Sequence, residues 1–191
     1  SNPIISKTLT AFLKIAMWLH LPINGIIKAT VYKHFCGGTT INNSQETIEK
    51  LWNSHIGTIL DFSAEGKESK IDFNRAMNET IASIKKAKSE KSIPFSVFKP
   101  TGLARFSLLE KINSNIKLSK KEEIERKNFE RRIENICKTA SENQVPVFID
   151  AEESWIQDTI DVIAIKMMQK FNTKETWVFN TLQLYRNDRV S

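Results

Sequence analysis

Apolar residues recur at helical spacing through the early part of the chain. Ile5, Leu9, Phe12 and Ala16 share one face, and Ile48, Leu51 and Trp52 share another. Residues 1–54 are therefore expected to form a helical lead-in, broken at Pro22 and at the glycine pair Gly37-Gly38. Beyond Gly57 the pattern changes to short, almost continuously apolar runs that alternate with long stretches of helical period. The runs are Thr58–Phe62, Phe95–Lys99, Val147–Asp150 and Trp177–Asn180. Between the first two, Phe73, Met77, Ile81 and Ile84 fall on one helical face, with Asp72 as a cap near its start. A longer helical insert follows from Leu103 to Asn143, carrying Phe129, Ile133, Ile136, Cys137 and Ala140 on its stripe and a Glu123–Lys127 pair outside. Ile156, Ile160, Ile163, Met167 and Phe171 mark the last helix, starting near Glu153 with Asn172 as its stop.

Strands of this texture are buried on both faces, and their alternation with helices predicts a parallel α/β sheet. A doubly wound open sheet and a (β/α)8 barrel of TIM type both satisfy that pattern. The first strand–helix turn contains only Ala64-Glu65-Gly66 and lacks a glycine-rich phosphate loop, which weakens the first choice. Each strand run has a polar residue at or next to its end, Asp61, Lys99, Asp150 or Asn180, and polar groups at the C-terminal ends of several strands are the habit of barrel enzymes. A whole barrel has eight strands in roughly 250 residues. Four are legible here, so residues 55–191 read as the first four units of a truncated barrel.

Composition narrows the function classes. The 28 basic and 22 acidic residues give a net charge of +6, mostly interleaved with opposite sign along helix faces, and no nucleic-acid motif accompanies it. Two cysteines, Cys36 and Cys137, form neither a CxxC nor a Cys/His cluster, so neither a disulfide framework nor a metal site is encoded and a cytoplasmic location is expected. Residues 8–27 have the length of a membrane span, but Lys14, His20, Pro22, Asn24 and Gly25 interrupt them. His20, His34 and His55 gather around no nucleophile.

Five local strings, in order, carry a resemblance. They are His34-Phe35-Cys36-Gly37-Gly38, the stretch from Asp61 to Glu65, Lys99-Pro100-Thr101-Gly102-Leu103, Asp150-Ala151-Glu152, and Asn180-Thr181-Leu182-Gln183-Leu184-Tyr185. Together they resemble proline dehydrogenase over roughly residues 28–188, although Pro100 stands where that family often has leucine. The resemblance implies a distorted barrel that binds FAD non-covalently, oxidises L-proline to Δ1-pyrroline-5-carboxylate and passes electrons to a quinone, with peripheral association at the inner membrane face. It implies that Lys99 pairs with the substrate carboxylate, that Asp150 and Ala151 lie beneath the flavin, that Gln183 contacts the isoalloxazine edge, and that Glu65 forms a gating ion pair with a substrate-binding arginine. Glu152 and Glu153 read as acids at the positive end of the following helix. The family's arginine pair and flavin-pyrophosphate segment are not found in the chain, so this fragment alone is expected to be inactive. Two exposed sheet edges also invite a different reading, a non-catalytic half-barrel that associates with itself or with a missing C-terminal half.

Overall fold

A computed structural model describes residues 37–38, 40–62, 66 and 68–187. Most of the expected helical lead-in, His34 to Cys36, and Glu65 lie outside the described residues. The chain divides into two units between Thr47 and Ile48.

In the first unit the glycine pair precedes a short 3-10 turn at Asn42–Ser44. A Cβ on Gly38 would meet the Ser44 backbone nitrogen at 2.7 Å, so this close approach admits no side chain. Helix α1, Gln45–Trp52, follows.

Four strands form the sheet of the second unit: β1 (Ile59–Leu60), β2 (Phe95–Phe98), β3 (Val147–Ile149) and β4 (Val178–Asn180). They lie in sequence order and every pair is parallel, with Ile59 beside Phe95, Val97 beside Phe148, and Phe148 beside Phe179. This is the partial α/β barrel expected from the pattern. Every strand run is one or more residues shorter than the sequence suggested, and β1 keeps only the middle of its run.

Helix α2 (Lys70–Ser89) joins β1 to β2. Its cap is Ser69, whose hydroxyl accepts the Asp72 N–H at 3.1 Å, so Asp72 is the third helical residue and not the cap. The long insert is two helices, α3 (Phe106–Asn113) and α4 (Lys120–Asn143), separated by a turn with Asn115 at φ 53. Ser119 and Glu122 cap α4 reciprocally, which fixes its start. Glu123 pairs with Arg126 at 3.0 Å, one residue earlier than the expected partner Lys127. Helix α5 (Gln157–Phe171) begins four residues after Glu153, because residues 154–156 form a turn first. Asn172 ends α5 as expected: its amide oxygen accepts the N–H groups of Trp177 and Val178, both at 2.9 Å, and its amide nitrogen donates to the Val178 carbonyl.

Alternation along the strands sorts the side chains onto two faces. Ser96, Phe98, Val147, Ile149 and Val178 are buried against Ile84, Phe129, Ile133, Ile136, Ile160 and Met167 of the helices. Phe95, Val97, Phe148 and Phe179 lie on the other face and are only half-buried. There Phe95 stacks on Phe148 with ring centroids 4.9 Å apart, and Phe148 meets Phe179 at 5.6 Å. Strands apolar on both sides are thus explained, but among the described residues helices cover one side only. Cys137 belongs to the covered core, where burial pushes its thiol up to about 12.

Candidate active site

The face that carries the three phenyl rings leads, at its C-terminal rim, to the polar residues that follow the strands. Lys99 continues β2 in extended conformation and therefore falls on the same side as Phe95 and Val97. By the same alternation Asp150 follows Phe148, and Thr181 follows Phe179. Lys99, Asp150, Ala151 and Gln183 all line one cavity of about 610 Å³, with Thr101 and Glu152 between them. Four of the five residues singled out from the sequence are thereby brought together. Glu65 lies outside the described residues, although Gly66 is on the cavity wall.

Asp150 is not a helix cap, since α5 starts at Gln157 with Ile156 before it. Its carboxylate accepts the Thr181 hydroxyl at 3.1 Å, and its backbone N–H donates to the Phe98 carbonyl at 3.0 Å. The Thr181 hydroxyl accepts the Ala151 N–H at 2.7 Å in turn. One threonine thus fixes both the Asp150 carboxylate and the Ala151 backbone across the β3–β4 pair.

Glu152 differs most from its expected place. It is not an exposed acid at a helix terminus. Its carboxylate reaches back across the rim and accepts the Thr101 N–H at 2.8 Å and the Thr101 hydroxyl. Thr101 is itself buried in the 3-10 turn Pro100–Gly102 that follows Lys99. Burial raises the Glu152 carboxyl above its ordinary range against the opposing bonds from Thr101, with Glu153 adding to the rise and the Lys99 charge acting against it. The Glu152 N–H donates to Gln157 Oε1 at 2.7 Å, and Gln157 Nε2 donates to Asp161 at 2.8 Å.

Gln183 donates its amide N–H to the Glu152 carbonyl. Its other end, Oε1, is buried without a hydrogen-bond partner. A buried amide oxygen left unsatisfied costs about 1–3 kcal/mol, so it is an acceptor held ready for a donor the protein does not supply. Asn180, the fourth strand-end residue, does not join the cavity. Its amide nitrogen donates to Asp161 at 2.9 Å on the helix-covered side. Asp61 is exposed just past β1.

Thr101, Thr181 and the inward turn of Glu152 are the parts of the rim that the residue pattern did not point to. Threonine after a strand has no distinctive signature. An acid between two strand-end loops shows its direction only when the loops are placed. No group of three or more His, Cys, Asp and Glu side chains suited to a metal ion occurs among the described residues. No described helix is long and apolar enough to cross a membrane.

The rim is an anionic and cationic cleft, open on one side, at the mouth of an apolar sheet face. It can hold a small zwitterion or anion beside Lys99 and a planar group with a donor edge beside Gln183. The family model described as proline dehydrogenase matches residues 44–191. Among curated proteins, the chain is similar to proline dehydrogenase 1, mitochondrial, of Dictyostelium discoideum, at 29% identity over 94% of this chain and 37% of that protein. It is also similar to the carbapenem antibiotics biosynthesis protein CarD of Pectobacterium carotovorum, at 28% identity over 87% of this chain and 44% of that protein. The chain therefore spans less than half the length of these relatives. In fold it is similar to proline utilization A from Bdellovibrio bacteriovorus, with a TM-score of 0.67 at 15% identity, covering 86% of this chain and 18% of that one.

Proposed function

The chain belongs to the proline dehydrogenase family, and from that premise we propose that its strand-end rim is part of the site of an FAD-dependent oxidation of L-proline to Δ1-pyrroline-5-carboxylate, with a quinone as final acceptor. The observation that carries this reading is the shared cavity of Lys99, Asp150, Ala151 and Gln183, with an unpartnered acceptor at Gln183 Oε1. The residues fit the cofactor: an orphaned amide oxygen suits an N–H at the edge of a flavin ring, and the cavity offers room beside it. Bound FAD supplies the redox chemistry, taking a hydride equivalent from the substrate.

The chain's own residues position. Lys99 holds a positive charge at the end of a strand inside a half-buried pocket, where it orients the amino-acid carboxylate. Asp150, locked by Thr181, presents a fixed carboxylate in the same pocket, and Ala151 leaves the backbone approachable. Glu152 holds the turn after Lys99 through Thr101 and thereby fixes the direction in which Lys99 leaves the strand. Glu65 is the gating acid of this reading. The division into a lead-in, 1–54, and a barrel segment, 55–191, belongs to the same proposal, as does a cytoplasmic enzyme that meets its acceptor at the inner membrane face.

The test is spectroscopic. Protein that carries this chain together with a C-terminal half completing the barrel, reconstituted with FAD, should be yellow and should bleach when L-proline is added without oxygen. Lys99→Ala should keep the colour and lose most of the bleaching at low proline. Colour and bleaching unchanged in Lys99→Ala would overturn the assignment of Lys99.

The uncovered phenyl face supports a second reading, in which this chain is a self-associating half-barrel without activity of its own. Phe95, Phe148 and Phe179 form a continuous apolar patch along three strands. Colourless protein that sediments as a dimer favours it.

A further inference from the structure

Away from the strand-end rim, α4 buries a guanidinium that has no carboxylate partner. Arg132 is 4% exposed. Its Nε donates to Asn74 Oδ1 at 2.8 Å, and its Nη1 donates to the Leu103 carbonyl at 3.1 Å. The guanidinium also lies over the Phe73 ring, 5.4 Å from the centroid. All of these partners are neutral. Arginine has five N–H groups, and these bonds use two of them, while the guanidinium lines an adjoining cleft. No described carboxylate lies within ion-pair distance of it, whereas Arg105 nearby is paired with Glu125 at 2.6 Å.

Burying a charge without an opposite charge is costly, and native proteins normally avoid it. Burial and the neighbouring Arg131 both lower the Arg132 pKa. The bonds to Asn74 and Leu103 and the contact with the Phe73 ring leave this charge without an opposite charge, which an anion in the adjoining cleft would supply.

There is room for one. A cleft of about 110 Å³ lies against Arg132, walled by Lys70, Arg105, Asn128 and two carboxylates, Glu68 and Glu125. Three cations face two carboxylates, so the cleft lacks one negative charge. Lys70 opens α2, so the positive end of a twenty-residue helix adds to the field. Asn128 adds an amide that can donate. The volume suits a compact oxyanion.

We propose that this cleft is a binding site for a small tetrahedral oxyanion of the phosphate class, held by Arg132 and Lys70. The cavity of the proposed oxidation site contains neither Arg132 nor Lys70, although Glu68 lies on the wall of both, and the proposal survives the failure of that reading. Bound there, the anion would pin the start of α2 and the turn after β2 to α4, because Arg132 already holds Asn74 of α2 and Leu103 of that turn.

Inorganic phosphate is the probe. Thermal unfolding should be followed against phosphate concentration, with chloride keeping the ionic strength constant. The midpoint should rise saturably with phosphate and not with chloride. Lys70→Ala, at an exposed position, should keep the fold and weaken apparent phosphate affinity roughly tenfold, the loss of one charged contact. Arg132→Met should abolish the phosphate response. No saturable response in the native chain would overturn the proposal. So would a response that Lys70→Ala and Arg132→Met both leave unchanged, which would place the anion elsewhere.

Discussion

Glu152 accepts both the backbone N–H and the hydroxyl of Thr101, fifty-one residues earlier in the chain. The contact joins the turn after β2 to the turn after β3, so two loops that separate strands leave together are held as one piece of the rim. It does so with a carboxyl whose pKa burial raises. Folding therefore retains a proton on Glu152 that the unfolded chain releases as pH climbs above its ordinary value of 4.5. In that window the folded state binds more protons, and stability falls as pH rises, levelling off once the folded carboxyl has ionised.

Glu152→Gln tests this directly. A glutamine oxygen can accept the Thr101 N–H, and its amide can donate to the Thr101 hydroxyl, so the clamp is kept without the ionisation. Urea unfolding of the two proteins should give similar stabilities near pH 4 and a difference that grows in favour of Glu152→Gln toward pH 7. A difference that does not change with pH would show that Glu152 is not held in the protonated direction.

The opposite sign is expected at the start of α4. Glu122 accepts from Lys111 Nζ at 2.5 Å and from Ser119, and its pKa falls from 4.5 to about 2, chiefly through Lys111. A carboxyl depressed in the folded state contributes stability above its unfolded pKa and loses it as pH falls toward 2. Solvent screening makes the contribution small, since the pair sits at the surface. Glu122→Gln should therefore flatten the acid limb of a plot of melting temperature against pH between pH 4.5 and 2, and salt should shrink the difference. An acid limb of unchanged slope would assign the loss to other carboxylates.

The elements were legible because period is a local property. Ile160, Ile163 and Met167 recur at helical spacing and lie on α5, and Pro94 and Pro146 stand just before β2 and β3. Legibility failed where a choice depends on partners far along the chain. Asp72 and Ser69 are both good caps in isolation, and the geometry of entry selected Ser69. Glu123 could reach Arg126 or Lys127, and arginine's forked donors took the pair at two bonds, 3.0 and 3.1 Å. Lys99, Asp150 and Gln183, which line one cavity, could be picked out because each follows a strand in a recognisable string. Thr101 and Thr181 were missed because their roles exist only once β2, β3 and β4 lie side by side. The anion cleft had no local signature at all, since Lys70, Arg105 and Arg132 come from three different helices or turns.

The uncovered sheet face makes a prediction about association. Phe148 sits between Phe95 at 4.9 Å and Phe179 at 5.6 Å, at the centre of an apolar patch. Phe148→Asp removes apolar area and adds a charge on the side that the helices do not cover. If that face meets a second copy, sedimentation at high concentration should shift from dimer to monomer, while far-ultraviolet circular dichroism stays unchanged. A native chain that is monomeric at every concentration would leave the face without a partner of its own kind and count against the self-associating reading.

The last prediction separates binding from stability at Gln183. Its amide nitrogen is used, donating to the Glu152 carbonyl, while its oxygen is buried and has no partner. Replacement by Met removes one hydrogen bond, of about 1 kcal/mol net, and one unsatisfied acceptor that costs about 1–3 kcal/mol, terms opposite in sign. The ligand-free protein should therefore unfold within about 2 kcal/mol of the native chain. If the free oxygen exists to meet an N–H of a bound flavin, the same substitution should weaken flavin retention about tenfold, the worth of one hydrogen bond to a desolvated partner. Equilibrium dialysis against FAD and urea unfolding without it, on the same two proteins, give both numbers. Lost stability with unchanged flavin affinity would make Gln183 a strut of the β4 loop, and the acceptor at its tip would have no part in binding.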